Sequence, residues 1–151
     1  MGMSSLIIPQ GASLFATLRD KIANIIQENW PFDIPVLWEN MPAPSPLPAD
    51  GWVEMRLRHG RSFARGLNTK SCIQKGRVQF LLANHLGHGM ETSDVTIAHL
   101  ISLFDGRQSD GLSFGQATVQ PPQKEDGFLI TTMTITFSYA KPVSSNGMET
   151  T

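Results

Sequence analysis

Between residues 10 and 29 the apolar side chains Leu14, Phe15, Leu18, Ile22, Ile25 and Ile26 recur at three- and four-residue steps, with Arg19, Asp20, Asn24 and Gln27 between them. An α-helix turns once in about 3.6 residues, so this spacing gathers the apolar groups into one stripe and predicts an amphipathic helix. Asn29 and Pro31 end it, because proline lacks an N–H and disfavours helical backbone in the residue before it. The period then changes. Trp52, Glu54, Arg56 and Arg58 alternate with Val53, Met55 and Leu57, the mark of a half-buried strand over 52–59. A second strand is predicted over 71–84, with Ile73, Val78, Phe80 and Leu82 in its apolar set and Gly76 marking a bulge. Joined by a loop over 60–69, the two read as a long antiparallel hairpin.

The stretch HLGHG at 85–89 is a turn, after which Thr92 or Ser93 caps a second helix. Its predicted apolar stripe is Ile97, Ile101 and Phe104 with Ala98 beside them; Asp94 suits its positive end and Gly106 stops it. Strands are predicted over 113–119 and 128–139, the latter dense in Thr and Ile, with the turn between them at Pro121-Pro122 and 124–127. Ahead of the first long strand, residues 34–40 are extended and run into Pro42, Pro44, Pro46 and Pro48. Proline at that density stiffens the backbone, so this segment is expected to be a rigid crossover inside one domain rather than a linker. The expected fold is α+β: a mostly antiparallel sheet of about four to five strands with two helices packed on one face. Residues 1–9 are expected to form an N-terminal arm, 10–142 a single domain and 143–151 a loose C-terminal tail.

A chain of 151 residues can bury a core without metal or disulfide staples. Charged residues make up 17% of it, against roughly a quarter in typical domains, which leaves surface for contact with other proteins. A net charge of −1 argues against a generally basic nucleic-acid binder. The single cysteine, Cys72, cannot form an intramolecular disulfide and reads as a small strand residue. No apolar run approaches the ~18–20 residues a membrane-spanning helix needs, and the first ten residues lack the basic and apolar regions of a secretory signal.

Candidate chemistry is sparse. His85 and His88, with His99 further on, suggest a metal, but zinc requires three or four ligands, and no Cys-x-x-Cys, His-Glu-x-x-His or carboxylate cluster accompanies them. Neither a Gly-x-Ser-x-Gly elbow nor a glycine-rich phosphate loop occurs. The expectation is therefore a protein that is not an enzyme and holds neither cofactor nor metal. The clearest asymmetry is electrostatic. Between residues 55 and 90 stand Arg56, Arg58, Arg61, Arg65, Lys70, Lys75 and Arg77, seven of the twelve basic residues, with no carboxylate. Such a run is a solvated face, one half of intersubunit salt bridges, or a contact with phosphate or an acidic partner surface. Arg61 and Arg65 on the loop, and Lys70 at its end, are the expected contact residues. Trp30, Phe32, Leu37 and Trp38 crowd together in sequence; one tryptophan is expected in the core and the other, Trp30 or Trp38, at an interface.

Several runs together resemble the phage tail-terminator (tail-completion) family of the lambda type: IPVLWENMPAPSP at 34–46, GWVEMRL at 51–57, GRVQF at 76–80, LFDG at 103–106 and ITFSY at 135–139. Order and spacing carry the resemblance, which spans about Leu14 to Pro142. The proline segment and the C-terminal tail are longer than the family pattern. The resemblance implies an α+β subunit of a homohexameric ring at the head-proximal end of a phage tail. Such a ring stops polymerisation of the tube protein, offers a surface to the head-tail connector or stopper, and lets DNA pass through its lumen. It implies a virion protein, made in the host cytoplasm, with no catalytic residues. The alternatives are another ring protein of the head–tail neck, and a small nucleic-acid-binding module using the basic hairpin 56–77.

Overall fold

The computed structural model describes residues 10–39, 48, 51–65 and 68–140, with side chains described over 14–39, 48, 51–60 and 73–140. The proposed arm, the C-terminal tail and most of the proline segment lie outside the described residues. The chain divides into two compact units with the boundary after Pro31, and each is described by itself.

In the first unit, helix α1 spans Gln10–Gln27. Leu18, Ile22, Ile25 and Ile26 are its buried residues, the stripe that the spacing predicts. Its end is built by Asn29, whose side-chain Nδ2 donates to the Ile25 carbonyl at 2.8 Å and so satisfies one of the acceptors a helix C-terminus leaves open.

The second unit is built on one sheet of seven strands among the described residues, in the order β1-β2-β3-β7-β5-β4 with β6 alongside β7. These are β1 Val36–Trp38, β2 Trp52–Arg65, β3 Asn68–His85, β4 Gln108–Ser109, β5 Leu112–Val119, β6 Gln123–Glu125 and β7 Phe128–Ala140. The α+β class holds, but the sheet is larger than the expected four to five strands and it is mixed. β1 runs parallel to β2, Val36 opposite Val53 and Trp38 opposite Met55. β4 and β6 are two and three residues long, too short to leave a period in the sequence. Each belongs to a tight hairpin turning on Asp110-Gly111 or Asp126-Gly127, all four residues at positive φ, the conformation that two-residue hairpin turns require.

The hairpin also differs from expectation. Residues 60–65 and 68–69, read as loop, are strand, so the backbone of Arg61, Arg65 and Lys70 lies in the β2–β3 ladder. Backbone pairing does not require apolar alternation, and the mixed run from Gly60 to Arg65, with Phe63 and Ala64 adjacent, gave no period to read.

Core residues follow from the register. Leu57, Val78, Ile135 and Ala117 form one row across β2, β3, β7 and β5; Met55, Phe80 and Met133 form another, and Val53, Leu82 and Thr131 a third. All but the half-buried Ala117 are buried. Helix α2, Glu91–Phe104, lies against β3, β5 and β7. Its Phe104 ring meets Phe80 at 5.4 Å and Phe114 at 5.1 Å between centroids, and Phe114 in turn meets Phe137 at 6.3 Å. The buried stripe of α2 is Ser93, Thr96, Leu100, Leu103 and Phe104, rotated from the predicted one: Ile97 and Ile101 are half-buried and Ala98 exposed. Thr96 can be buried because its hydroxyl donates to the Thr92 carbonyl at 2.8 Å. Neither Thr92 nor Ser93 caps the helix; Met90 stands at the N-cap with no side-chain hydrogen bond.

Candidate functional site

Two irregularities bend the sheet in neighbouring rows. In β2, Gly60 and Arg61 together face Lys75 of β3, because the register passes from His59↔Gly76 to Ser62↔Gln74. In β5, Gly115 and Gln116 together face Thr136 of β7, between Phe114↔Phe137 and Ala117↔Ile135. An extra residue in one strand kinks it and increases the local twist. Between these two bulges lies a groove of about 660 Å³, lined by Arg58, Gly60, Lys75, Gly76, Arg77, Ser113, Gly115, Thr136 and Ser138 among others, and by no carboxylate.

Alternation along the strands aims these side chains. With Leu57, Val78 and Ile135 turned to the core, their neighbours Arg58, Arg77 and Thr136 form a row on the opposite face. One step along, Lys75, Ser138, Ser113 and Gln108 form the next. Gly115 keeps the floor open: a Cβ there would stand 2.7 Å from Thr136 Oγ1. The groove therefore presents cations beside hydroxyls, a donor-rich surface matched to carboxylate or phosphate oxygens.

The basic residues singled out by the sequence do not act as one cluster. Arg56 turns to Glu54, two positions away on its own strand, at 2.9 Å. Arg58 lines the groove but is held from outside it, its guanidinium 3.0 Å from both carboxylate oxygens of Glu39, which also accepts from the Leu57 backbone N–H at 2.8 Å. Both pairs are part-exposed, a setting in which an ion pair contributes about 0–1 kcal/mol. Lys75 and Arg77 are exposed at the groove, and Arg77 makes no ion pair among the described residues. The side chains of Arg61, Arg65, Lys70 and Cys72 lie outside the described residues. Their backbone belongs to the distal hairpin, where the β2–β3 ladder continues from Ser62↔Gln74 to Arg65↔Asn68; the described part of β7 reaches Ala140, opposite Ile73. Sequence reasoning missed Ser113, Thr136 and Ser138; the alternation of 128–139 held the signal, since it sends Thr136 and Ser138 away from the core.

Of the aromatic candidates, Trp38 is half-buried in β1 and Trp30 half-buried after α1. His85 and His88 have ring centroids 5.4 Å apart, but His85 Nε2 is 2.9 Å from the Pro48 carbonyl and its ring packs on Phe128. His99 packs edge-on against Phe32. Among the described residues no three side chains of metal-ligand type converge.

Fold and groove define an α+β protein with a mixed, curled sheet and a donor-lined concavity on the side away from its core. No protein-family model matches the chain, and no curated protein matches it. A solved structure does: it aligns with 80% of this chain and 94% of its own at a TM-score of 0.60 and 17% identity. A likeness at that identity shows the fold.

Proposed function

We propose that this chain is a tail terminator: a structural subunit that assembles with copies of itself into a ring on the head-proximal end of a phage tail tube. There it stops the tube growing and offers the surface to which the head joins. It works by assembly, not by catalysis, and its place is the virion. The runs that carry the resemblance fall on β1, the first half of β2, the middle of β3, the end of α2 and the end of β7.

The observation that carries the reading is the long hairpin of β2 and β3 and the edge that β2 leaves open among the described residues. The β2–β3 ladder runs from Trp52↔Ala83 to Arg65↔Asn68, and on the other side of β2 the strand β1 pairs only with Val53 to Met55, so among the described residues the edge of β2 from Arg58 to Arg65 has no strand beside it. An open strand edge has backbone donors and acceptors to offer a neighbour, and identical subunits joined by unlike surfaces form a ring when the rotation closes.

Electron microscopy of tails assembled with and without the protein tests the proposal. Tails lacking it should be of irregular length and fail to join heads. Normal tail length and infectivity in its absence would refute the reading. The run of basic residues without a carboxylate supports a second reading, a small nucleic-acid-binding module using the hairpin 56–77. It predicts binding of generic duplex DNA whose logarithm falls steeply with that of salt concentration.

A further inference from the structure

We infer that copies of this chain join head to tail, the cationic groove of one subunit receiving the carboxylate-bearing end of the next. The inference rests on the self-assembly reading above and names its contact.

Charge is segregated along the chain. Residues 55–90 carry seven basic groups and no acidic one, whereas 91–126 carry six acidic groups and two basic. The fold gathers part of each set into a pole, while Asp105 beside Ala117 and Asp110 in the β4–β5 turn lie on the groove's side of the sheet. One pole is the groove, with Lys75 and Arg77 exposed. The other is the far end of the sheet, where β3 finishes at His85 opposite Phe128 and Phe128 pairs with Glu125. Helix α2 starts at that same end, since Asn84 Nδ2 donates to the Gly89 carbonyl just before Met90. Exposed Glu91 and Asp94 in its first turn and exposed Glu125 and Asp126 in the β6–β7 turn make no ion pair among the described residues.

The poles cannot satisfy each other within one subunit. Arg77 and His85 are eight residues apart on a continuous strand, roughly 26 Å at ~3.3 Å per residue, well beyond ion-pair contact and beyond a Debye length of about 8–10 Å at physiological salt. Between subunits that span does not hold them apart. The contact joins unlike surfaces, so it propagates in one sense, which is what a closed ring requires. Carboxylates fit the groove better than a phosphodiester track, because Glu39 already engages Arg58 and leaves a short cationic patch instead of a continuous stripe.

The test uses two variants of the full chain, K75E/R77E to reverse the groove and E91K/E125K to reverse the end. All four positions are exposed, and circular dichroism verifies that the fold is kept. Sedimentation velocity then measures association. Wild type should associate, more weakly as salt rises, and each variant alone should associate at least about tenfold more weakly, a loss of ~1.4 kcal/mol. An equimolar mixture of the two should regain association, because each acidic groove then meets a basic end and each basic groove an acidic end. Wild-type association with variants that associate equally well, or a mixture that stays dissociated, overturns this contact and leaves the assembly reading standing. A wild type that remains monomeric at every concentration overturns both. Loss of duplex-DNA binding in K75E/R77E with association unchanged assigns the groove to phosphate and also overturns the contact.

Discussion

Gly76 on β3 lies under the ring of Phe137 on β7, its directly paired neighbour: a Cβ built on Gly76 would stand 2.8 Å from Phe137 Cζ and 2.5 Å from the Arg58 carbonyl oxygen. The ring occupies the space the glycine leaves, so a strand position that would otherwise be thin is covered by an aromatic. This is also where β2 begins its bulge, and both neighbours are fixed, one as backbone and one as a buried ring. Gly76→Ala should therefore destabilise the protein by about 1–3 kcal/mol, the range for forcing atoms into a packed site. A denaturant titration would show it as a lowered midpoint with unchanged slope, and a midpoint equal to wild type would mean that the Phe137 ring moves freely.

Gly51 and Gly87 share a left-handed backbone, φ +90 and +89, but not the same surroundings. A Cβ at Gly51 would overlap the Ala83 carbonyl oxygen, whereas at Gly87 it would meet nothing within 4 Å. Ala at Gly87 should show only the conformational penalty, about 1–2 kcal/mol. Ala at Gly51 adds the collision with β3 and should lose at least about 2 kcal/mol more or fail to fold. Thermal denaturation of both variants under one buffer compares them directly, and equal losses would dismiss the steric argument.

How much of this was legible depends on which force fixed each element. Where burial decided, the sequence spoke: Val53, Met55 and Leu57 face the core as their alternation predicts, and Leu18, Ile22, Ile25 and Ile26 are the buried stripe of α1. Where backbone pairing decided, the side chains were silent, so Gly60 to Arg65 read as loop although they form strand. In α2 the error was one of rotation. Ser93 and Thr96 are buried despite their hydroxyls, which turns the helix toward Leu100 and Leu103 and away from Ile97 and Ala98. The Asp110-Gly111 and Asp126-Gly127 dipeptides were readable as hairpin turns and would have disclosed β4 and β6. The groove needed the register. No spacing in sequence tells that Lys75 and Thr136, sixty-one positions apart, each sit opposite a bulge.

Glu39 is the residue through which β1 and β2 are locked beyond their short ladder. Its backbone N–H donates to the Met55 carbonyl at 3.1 Å while its carboxylate takes the Leu57 N–H and the Arg58 guanidinium. Glu39→Gln keeps an acceptor for Leu57 and should lose about 0.5 kcal/mol or less, whereas Glu39→Ala removes both contacts and should lose about 1–2 kcal/mol. Arg58→Ala should resemble the Gln variant. Amide exchange is the sharper readout: Leu57 should exchange markedly faster in Glu39→Ala and little faster in Arg58→Ala. Equal protection of Leu57 in both would show that the carboxylate contact does not hold that edge.

Thr131 sits in the row Val53, Leu82, Thr131, where its Oγ1 is buried without a hydrogen-bond partner among the described residues. A hydroxyl taken from water without compensation costs on the order of 1–3 kcal/mol in proteins, and valine has nearly the same shape without it. Both are β-branched, so the strand preference at this position is kept. Thr131→Val should therefore stabilise the protein, by about 1 kcal/mol, against the usual direction of core substitutions. Thr131→Ser keeps the hydroxyl and removes a methyl group, so it should destabilise by about 1 kcal/mol or more. Chemical denaturation of the pair settles the sign: a destabilised valine variant would mean that the hydroxyl has a partner after all, and the contribution of this row to the core would have to be assigned to polar contact.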